Sequence, residues 1–181
     1  MASEPTNPGA VSAAYRPLIL TARMEPRAQS HFQRLRDAYF PPERNVVPAH
    51  VTLFHHLPGT LVDDIAGRLK MMARATRRIP VEVVRVRSLG RGVAYDLRAP
   101  ELEALRDELA HAWSTLLIPQ DRAGWRAHAT VQNKVEPREA KETLARLSAE
   151  FAPWTFEADG LLLWRYLDGP WEKVGEYAFR G

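Results

Sequence analysis

The chain has 181 residues, 45% of them hydrophobic, enough for one substantial core and short for two independent ones. Its 25 lysines and arginines against 22 aspartates and glutamates leave a formal charge of +3, a mild basic bias that suits a phosphate-bearing ligand. Cysteine is absent, which excludes disulfides and thiolate zinc sites and fits a reducing cytosol, and no run of about 18 apolar residues offers a membrane span.

Residues 1–14 carry small residues, prolines and one acid, lack the basic start and apolar core of a signal peptide, and read as a loose tail. Residues 17–22 are a short apolar run between breakers, a buried strand. Pro26 opens a helix on which Phe32, Leu35 and Tyr39 recur at helical spacing until Pro41-Pro42 forbids continuation. A strand follows over residues 46–54, containing His50-Val51-Thr52 and closed by Pro58-Gly59. Thr60, with Asp63 three residues on, is the expected N-cap of a second helix, whose stripe is Leu61, Ile65, Leu69 and Met72 and which Pro80 is expected to end.

Residues 81–89 and 93–98 read as a hairpin about Gly90-Arg91-Gly92. Pro100 opens a third helix with Leu102, Leu105, Leu109, Trp113 and Leu116 on one face. Past Pro119 and a polar loop lies His128-Ala129-Thr130, again on a strand. A fourth helix carries Ala140, Leu144, Leu147 and Phe151 before Pro153, and two strands, 155–166 and 171–179, flank Asp168-Gly169-Pro170. Aligned on the two His-x-Thr motifs, the halves repeat: residues about 17–89 and 93–167 each run strand, helix, His-x-Thr strand, helix, strand. The expectation is one domain over residues 15–181, with one His-Thr pair on each side of a common cleft.

Within each motif the histidine and the threonine face the same way, because successive strand residues alternate. Of two histidines, one can be neutral and accept a proton while the other is charged and donates one, so a pair flanking a phosphodiester can serve as base and acid. Thr52 and Thr130 are placed to hydrogen-bond the phosphate oxygens, where charge accumulates in the transition state. The sequence has no His-Glu-x-x-His and no aspartate cluster, so no metal or other cofactor is expected.

These motifs resemble those of the two-histidine (2H) phosphoesterase superfamily, which includes the 2′-5′ RNA ligase-like proteins and cyclic nucleotide phosphodiesterases. Its mark is a pair of His-x-Thr/Ser motifs followed by apolar positions, as in His50-Val51-Thr52-Leu53-Phe54 and His128-Ala129-Thr130-Val131. The resemblance implies an α+β fold: a bilobal, pseudo-two-fold duplicated domain with two antiparallel sheets lining a central cleft and helices outside. It implies catalysis by His50 and His128, with phosphate bound at Thr52 and Thr130. The implied reaction is metal-independent hydrolysis of a 2′,3′-cyclic phosphate or 2′-5′ phosphodiester in a nucleotide or at an RNA end. RNA ligation, the reverse direction, and a non-catalytic RNA- or nucleotide-binding module are the alternatives. Ala127, where a proline is common, and Gln132, opposite Phe54, depart from the pattern and blur the subfamily.

Further candidates for substrate contact are Phe54 and Gln132 as walls beyond each threonine, His56 on the face of His50, Lys134 on the face of His128, and Trp164 and Tyr166 as a stacking surface. Trp125 and Arg126 precede the second motif and are similar candidates, and arginines 85, 87, 91, 98, 122, 126 and 165 supply a basic field. His55 and His56 are not a metal pair, since adjacent strand residues face opposite ways. The expected state is a monomer with no membrane partner.

Overall fold

A computed structural model describes Ser12 and residues 15–181; the tail expected over residues 1–14 lies almost wholly outside them. In chain order the elements are β1 (Leu18–Met24), α1 (Pro26–Tyr39), β2 (Val51–Leu57), α2 (Val62–Ala75), β3 (Ile79–Ser88), β4 (Val93–Arg98), α3 (Pro100–Ala112), α4 (Pro119–Arg122), β5 (His128–Gln132), α5 (Pro137–Glu150), β6 (Trp154–Tyr166) and β7 (Trp171–Ala178). No helix among the described residues is long and apolar enough to cross a membrane.

The seven strands among the described residues join in one antiparallel sheet ordered β2-β1-β6-β3-β4-β5, with β7 added on β6. If β1, β2 and β3 are the first, second and third strands of one half, and β4, β5 and β6 those of the other, this order is palindromic: second, first, third, third, first, second. Each half's first strand pairs with the other half's third, β1 with β6 and β4 with β3. The two lobes are therefore interleaved wings of one sheet, continuous through the long strand β6, whose N-terminal part pairs with β3 and whose C-terminal part pairs with β1 and β7.

The helices cover one face of the sheet, α1 crossing to pack on β5, α2 on β6 and β7, and α5 on β3 and β4. Spacing explains which side they bury: Ala28, Phe32 and Arg36 on α1, Ile65, Leu69 and Ala73 on α2, and Ala140, Thr143 and Leu147 on α5. Opposite them, Val51, Leu53, Ala129 and Val131 of the motif strands are at most 1% exposed. The other face of those strands is left open for His50, Thr52, His128 and Thr130, all half-buried.

Local boundaries differ from the sequence expectations in several places. The strand expected over residues 46–54 is β2, Val51–Leu57, so His50 stands immediately before it rather than within it. Residues Gly59–Leu61 form a 3-10 turn, so α2 begins at Val62 with Leu61 at its N-cap, and Thr60 makes no capping bond. Pro80 does not end α2, which stops at Ala75; it is the second residue of β3. Trp113 caps the end of α3 rather than continuing its stripe to Leu116. The polar loop after Pro119 contains a fifth, single-turn helix, α4, which buries Asp121. The hairpin is as expected, with Ser88 opposite Val93 and Gly90 at φ 81°, where a residue without Cβ is favoured.

Candidate active site

In the sheet order β2 and β5 are the two ends, yet curling brings them into contact. Trp125, just before β5, donates its indole Nε1–H to the Thr52 carbonyl at 2.9 Å. Arg106 of α3 donates to the carbonyls of Leu53, at 3.0 Å, and Asp121, at 2.7 Å. Asp121 in turn accepts from the backbone N–H groups of His55 and His56. On the other edge, Arg36 of α1 donates to the Thr130 carbonyl at 3.0 Å. An open sheet edge would leave these backbone groups unpaired, and side chains from the opposite half satisfy them.

The two histidines are held alike. His50 Nδ1 lies 2.7 Å from the Pro48 carbonyl and His128 Nδ1 lies 2.9 Å from the Arg126 carbonyl, in each case two residues back. A carbonyl only accepts, so each Nδ1 carries its proton and each Nε2 is left for other partners. His50 is packed further by Trp171 of β7, the ring centroids 4.7 Å apart. Burial pushes His50 down to about 4 from 6.5; the Pro48 carbonyl opposes this, while the charges of Arg36, His128 and His55 add to it. His50 is thus neutral at ordinary pH. Arg36, buried with Asn45 and the Thr130 carbonyl as partners, is itself lowered to about 10 by burial, against the pull of Asp37.

Beneath His128 the open face is charged. Asp96 of β4 is in register with His128, and Arg85 and Arg87 of β3 bond its two oxygens at 2.7 and 2.6 Å. Burial would raise the Asp96 carboxyl, but the two guanidiniums outweigh it and hold the carboxyl below its usual range. The corresponding surface near His50 is aromatic and polar. Thr52 pairs with Thr21, Thr21 Oγ1 accepts the Trp164 indole N–H at 2.9 Å, and Trp164 and Trp171 lie 6.0 Å apart between centroids.

Several sequence candidates sit elsewhere than expected. A register shift in β1·β2 leaves Thr52 opposite Thr21 but Phe54 opposite Leu20, so the strand bulges at Leu53 and Phe54 turns into the core. Phe54 is fully buried, against Trp113 and under Arg106, and forms no cleft wall. The same irregularity recurs after Thr130. Gln132 pairs with Val93, is 1% exposed and donates to Thr143 of α5, so it too lies on the helix side. Lys134 falls beyond β5 in a turn at φ 62° and does not share the strand face of His128.

His56 is exposed and tied by its backbone, whereas the His55 ring is bonded to the buried Asp121 at 2.8 Å. Trp164 is 9% exposed and lines a cavity before His50, while Tyr166 is in register with Trp171 at the end of β6, and 37% exposed. No three histidine, aspartate or glutamate side chains among the described residues are grouped to hold a metal ion. Sequence reasoning missed Trp171, Arg36, Arg106 and Asp121. The two arginines interrupt apolar helix faces, a signal visible in the sequence, while Trp171 follows a turn and carries none.

A palindromic, curled antiparallel sheet with twin histidines on its open face defines a two-histidine phosphoesterase fold. A family model described as the 2′-5′ RNA ligase superfamily matches residues 24–170, and the chain belongs to that superfamily. Among solved structures it is similar to TT0787 of Thermus thermophilus, at 16% identity and a TM-score of 0.66, covering 91% of this chain and 98% of that one. It is also similar to E. coli LigT complexed with NADP+, at 15% identity and a TM-score of 0.55, covering 92% and 99%, and to LigT complexed with 3′-AMP, at 15% identity and a TM-score of 0.52, covering 92% and 99%. No curated protein matches the chain.

Proposed function

We propose that the protein is a metal-independent phosphodiesterase that hydrolyses a 2′,3′-cyclic phosphate or 2′-5′ phosphodiester in a nucleotide or at an RNA end. The observation that carries this is the twin arrangement of His50 and His128, each with Nδ1–H donated to the carbonyl two residues back and Nε2 left for the cleft. Two imidazoles so fixed supply a base and an acid without reorganisation. The nucleotides in the LigT complexes, NADP+ and 3′-AMP, support a nucleotide ligand.

His50, kept neutral by burial, is the base that takes a proton from the attacking water through Nε2. His128 is the acid that gives its Nε2 proton to the departing ribose oxygen. Thr52 and Thr130 donate their hydroxyl hydrogens to the non-bridging oxygens as charge grows there. Residues 15–181 form one bilobal domain in which a duplicated unit contributes one histidine from each half.

The test is hydrolysis of 2′,3′-cyclic mononucleotides in EDTA by the wild type, His50→Ala and His128→Ala. Turnover persists in EDTA and falls by roughly 10²–10⁴-fold in each variant. Loss of activity in EDTA defeats the metal-free mechanism, and undiminished turnover in both variants moves the reaction elsewhere.

A further inference from the structure

Two cavities occupy corresponding places in the two halves. One, of about 240 Å³, lies against Pro48 and Ala49, immediately before His50. The other, of about 500 Å³, lies against Arg126 and Ala127, immediately before His128. The pseudo-two-fold relation accounts for the positions, but it does not account for the second cavity being twice the size and differently lined.

The larger cavity has a rigid aromatic wall and an excess of guanidinium. Trp125 is fixed by its bond to the Thr52 carbonyl, and the Arg106 guanidinium stands 5.7 Å from its ring. Arg85, Arg98 and Arg126 line the cavity with two carboxylates, Asp96 and Glu103. Asp96 is already shared between Arg85 and Arg87, and Arg98 is paired with Glu82. Arg126 is exposed and forms no ion pair among the described residues. A volume of about 500 Å³ falls in the usual range for small-molecule sites. Hydrolysis of a bare cyclic phosphate calls for no such space beside the acid.

We propose that this cavity is a subsite for the nucleotide carrying the departing oxygen, with Trp125 as a stacking platform and Arg126 binding a second phosphoryl group. The subsite rests on the two-histidine assignment and deepens it, because it makes the preferred substrate one with a phosphate beyond the reacting one. A tryptophan held on its N–H side, with Arg106 over one face of its ring, leaves the other face to a base. An arginine without a carboxylate partner is suited to a phosphate, which its planar fork matches.

The test compares kcat/KM for 2′,3′-cyclic AMP, the same compound with a 5′-phosphate, and a dinucleotide ending in the cyclic phosphate. The second phosphate raises kcat/KM by roughly tenfold, the value of one charge-assisted hydrogen bond. The ratio of extended to minimal substrate falls toward one in Arg126→Gln. A gain with both extended compounds assigns the subsite to any 5′-phosphoryl group, and a gain with the dinucleotide alone assigns it to an adjoining nucleotide. Equal kcat/KM for all three in the wild type, or a ratio unmoved in Arg126→Gln, overturns the subsite. If none of the three is turned over, the catalytic assignment fails by itself. Calorimetric binding of adenosine 3′,5′-bisphosphate against 3′-AMP then decides the subsite: tighter bisphosphate binding that Arg126→Gln abolishes supports it, and equal affinities overturn it.

Discussion

Arg36 of α1 and Arg106 of α3 cross the molecule in opposite senses, each ending on the His-x-Thr strand of the other half. They are 2% and 5% exposed, so nearly all of each guanidinium is out of water. Burial lowers both from their ordinary value, Arg36 to about 10. The first helix of each half thereby holds the partner motif's backbone, and the cleft between the lobes is braced from both sides.

Arg106→Met is expected to destabilise the protein by about 2–4 kcal/mol, because methionine fills similar space while leaving the Leu53 and Asp121 carbonyls without their donor. Urea denaturation measures this. A change below about 0.5 kcal/mol means that the brace contributes little.

If His50 is the base proposed above, its depression sets where activity fails in acid. A base must be neutral, and burial holds His50 near 4 rather than 6.5. The acidic limb of kcat/KM is therefore expected near pH 4, well below the limb of an ordinary histidine. The same shift bears on stability. Between about pH 6.5 and 4 the unfolded chain binds a proton at His50 that the folded chain does not, so this contribution is present above pH 6.5 and is lost as pH falls toward 4. A pH series of urea midpoints, compared with His50→Gln, isolates it. A limb near pH 6.5 places the base elsewhere.

Much of this architecture is legible in the sequence for a definite reason. The element order follows from proline boundaries and apolar periodicity, and the two motifs stand out because each His-x-Thr pair occupies the polar face of a half-buried strand. What strict alternation cannot reveal is a bulge. One extra residue at Leu53, and its counterpart after Thr130, carries Phe54 and Gln132 to the opposite face from that given by counting in twos. Long-range partners are hidden for another cause. Asp121 meets His55 across 66 residues of chain and Trp125 meets Thr52 across 73, and no local pattern encodes such a meeting. The packing of His50 is hidden in the same way, because its ring meets a distant tryptophan, Trp171.

The bulge separates two neighbouring residues by role. Phe54→Ala is expected to cost about 3–5 kcal/mol in urea denaturation, the usual range for emptying a buried aromatic site. Thr52→Val keeps the shape and removes the hydroxyl, so it is expected to lower kcat by roughly 10²-fold with a much smaller loss of stability. Matched stabilities and matched kinetics in the two variants would contradict the assignment of Phe54 to the core and Thr52 to the cleft.

Trp171 offers a final test of how the cleft tunes the base proposed for it. Its ring lies against His50, and burial is the largest cause of the downward shift of that imidazole. Trp171→Ala admits water to the imidazole and weakens that cause, so the His50 pKa rises toward 6.5. The acidic limb of kcat/KM then moves to higher pH by about one unit or more, while the maximal rate above the limb falls less. The position of the His50 ring resonances through a pH titration by NMR reads the same shift without turnover. A lowered rate with an unmoved limb and an unmoved titration would assign Trp171 to substrate contact alone and leave the depression of His50 to the rest of its surroundings.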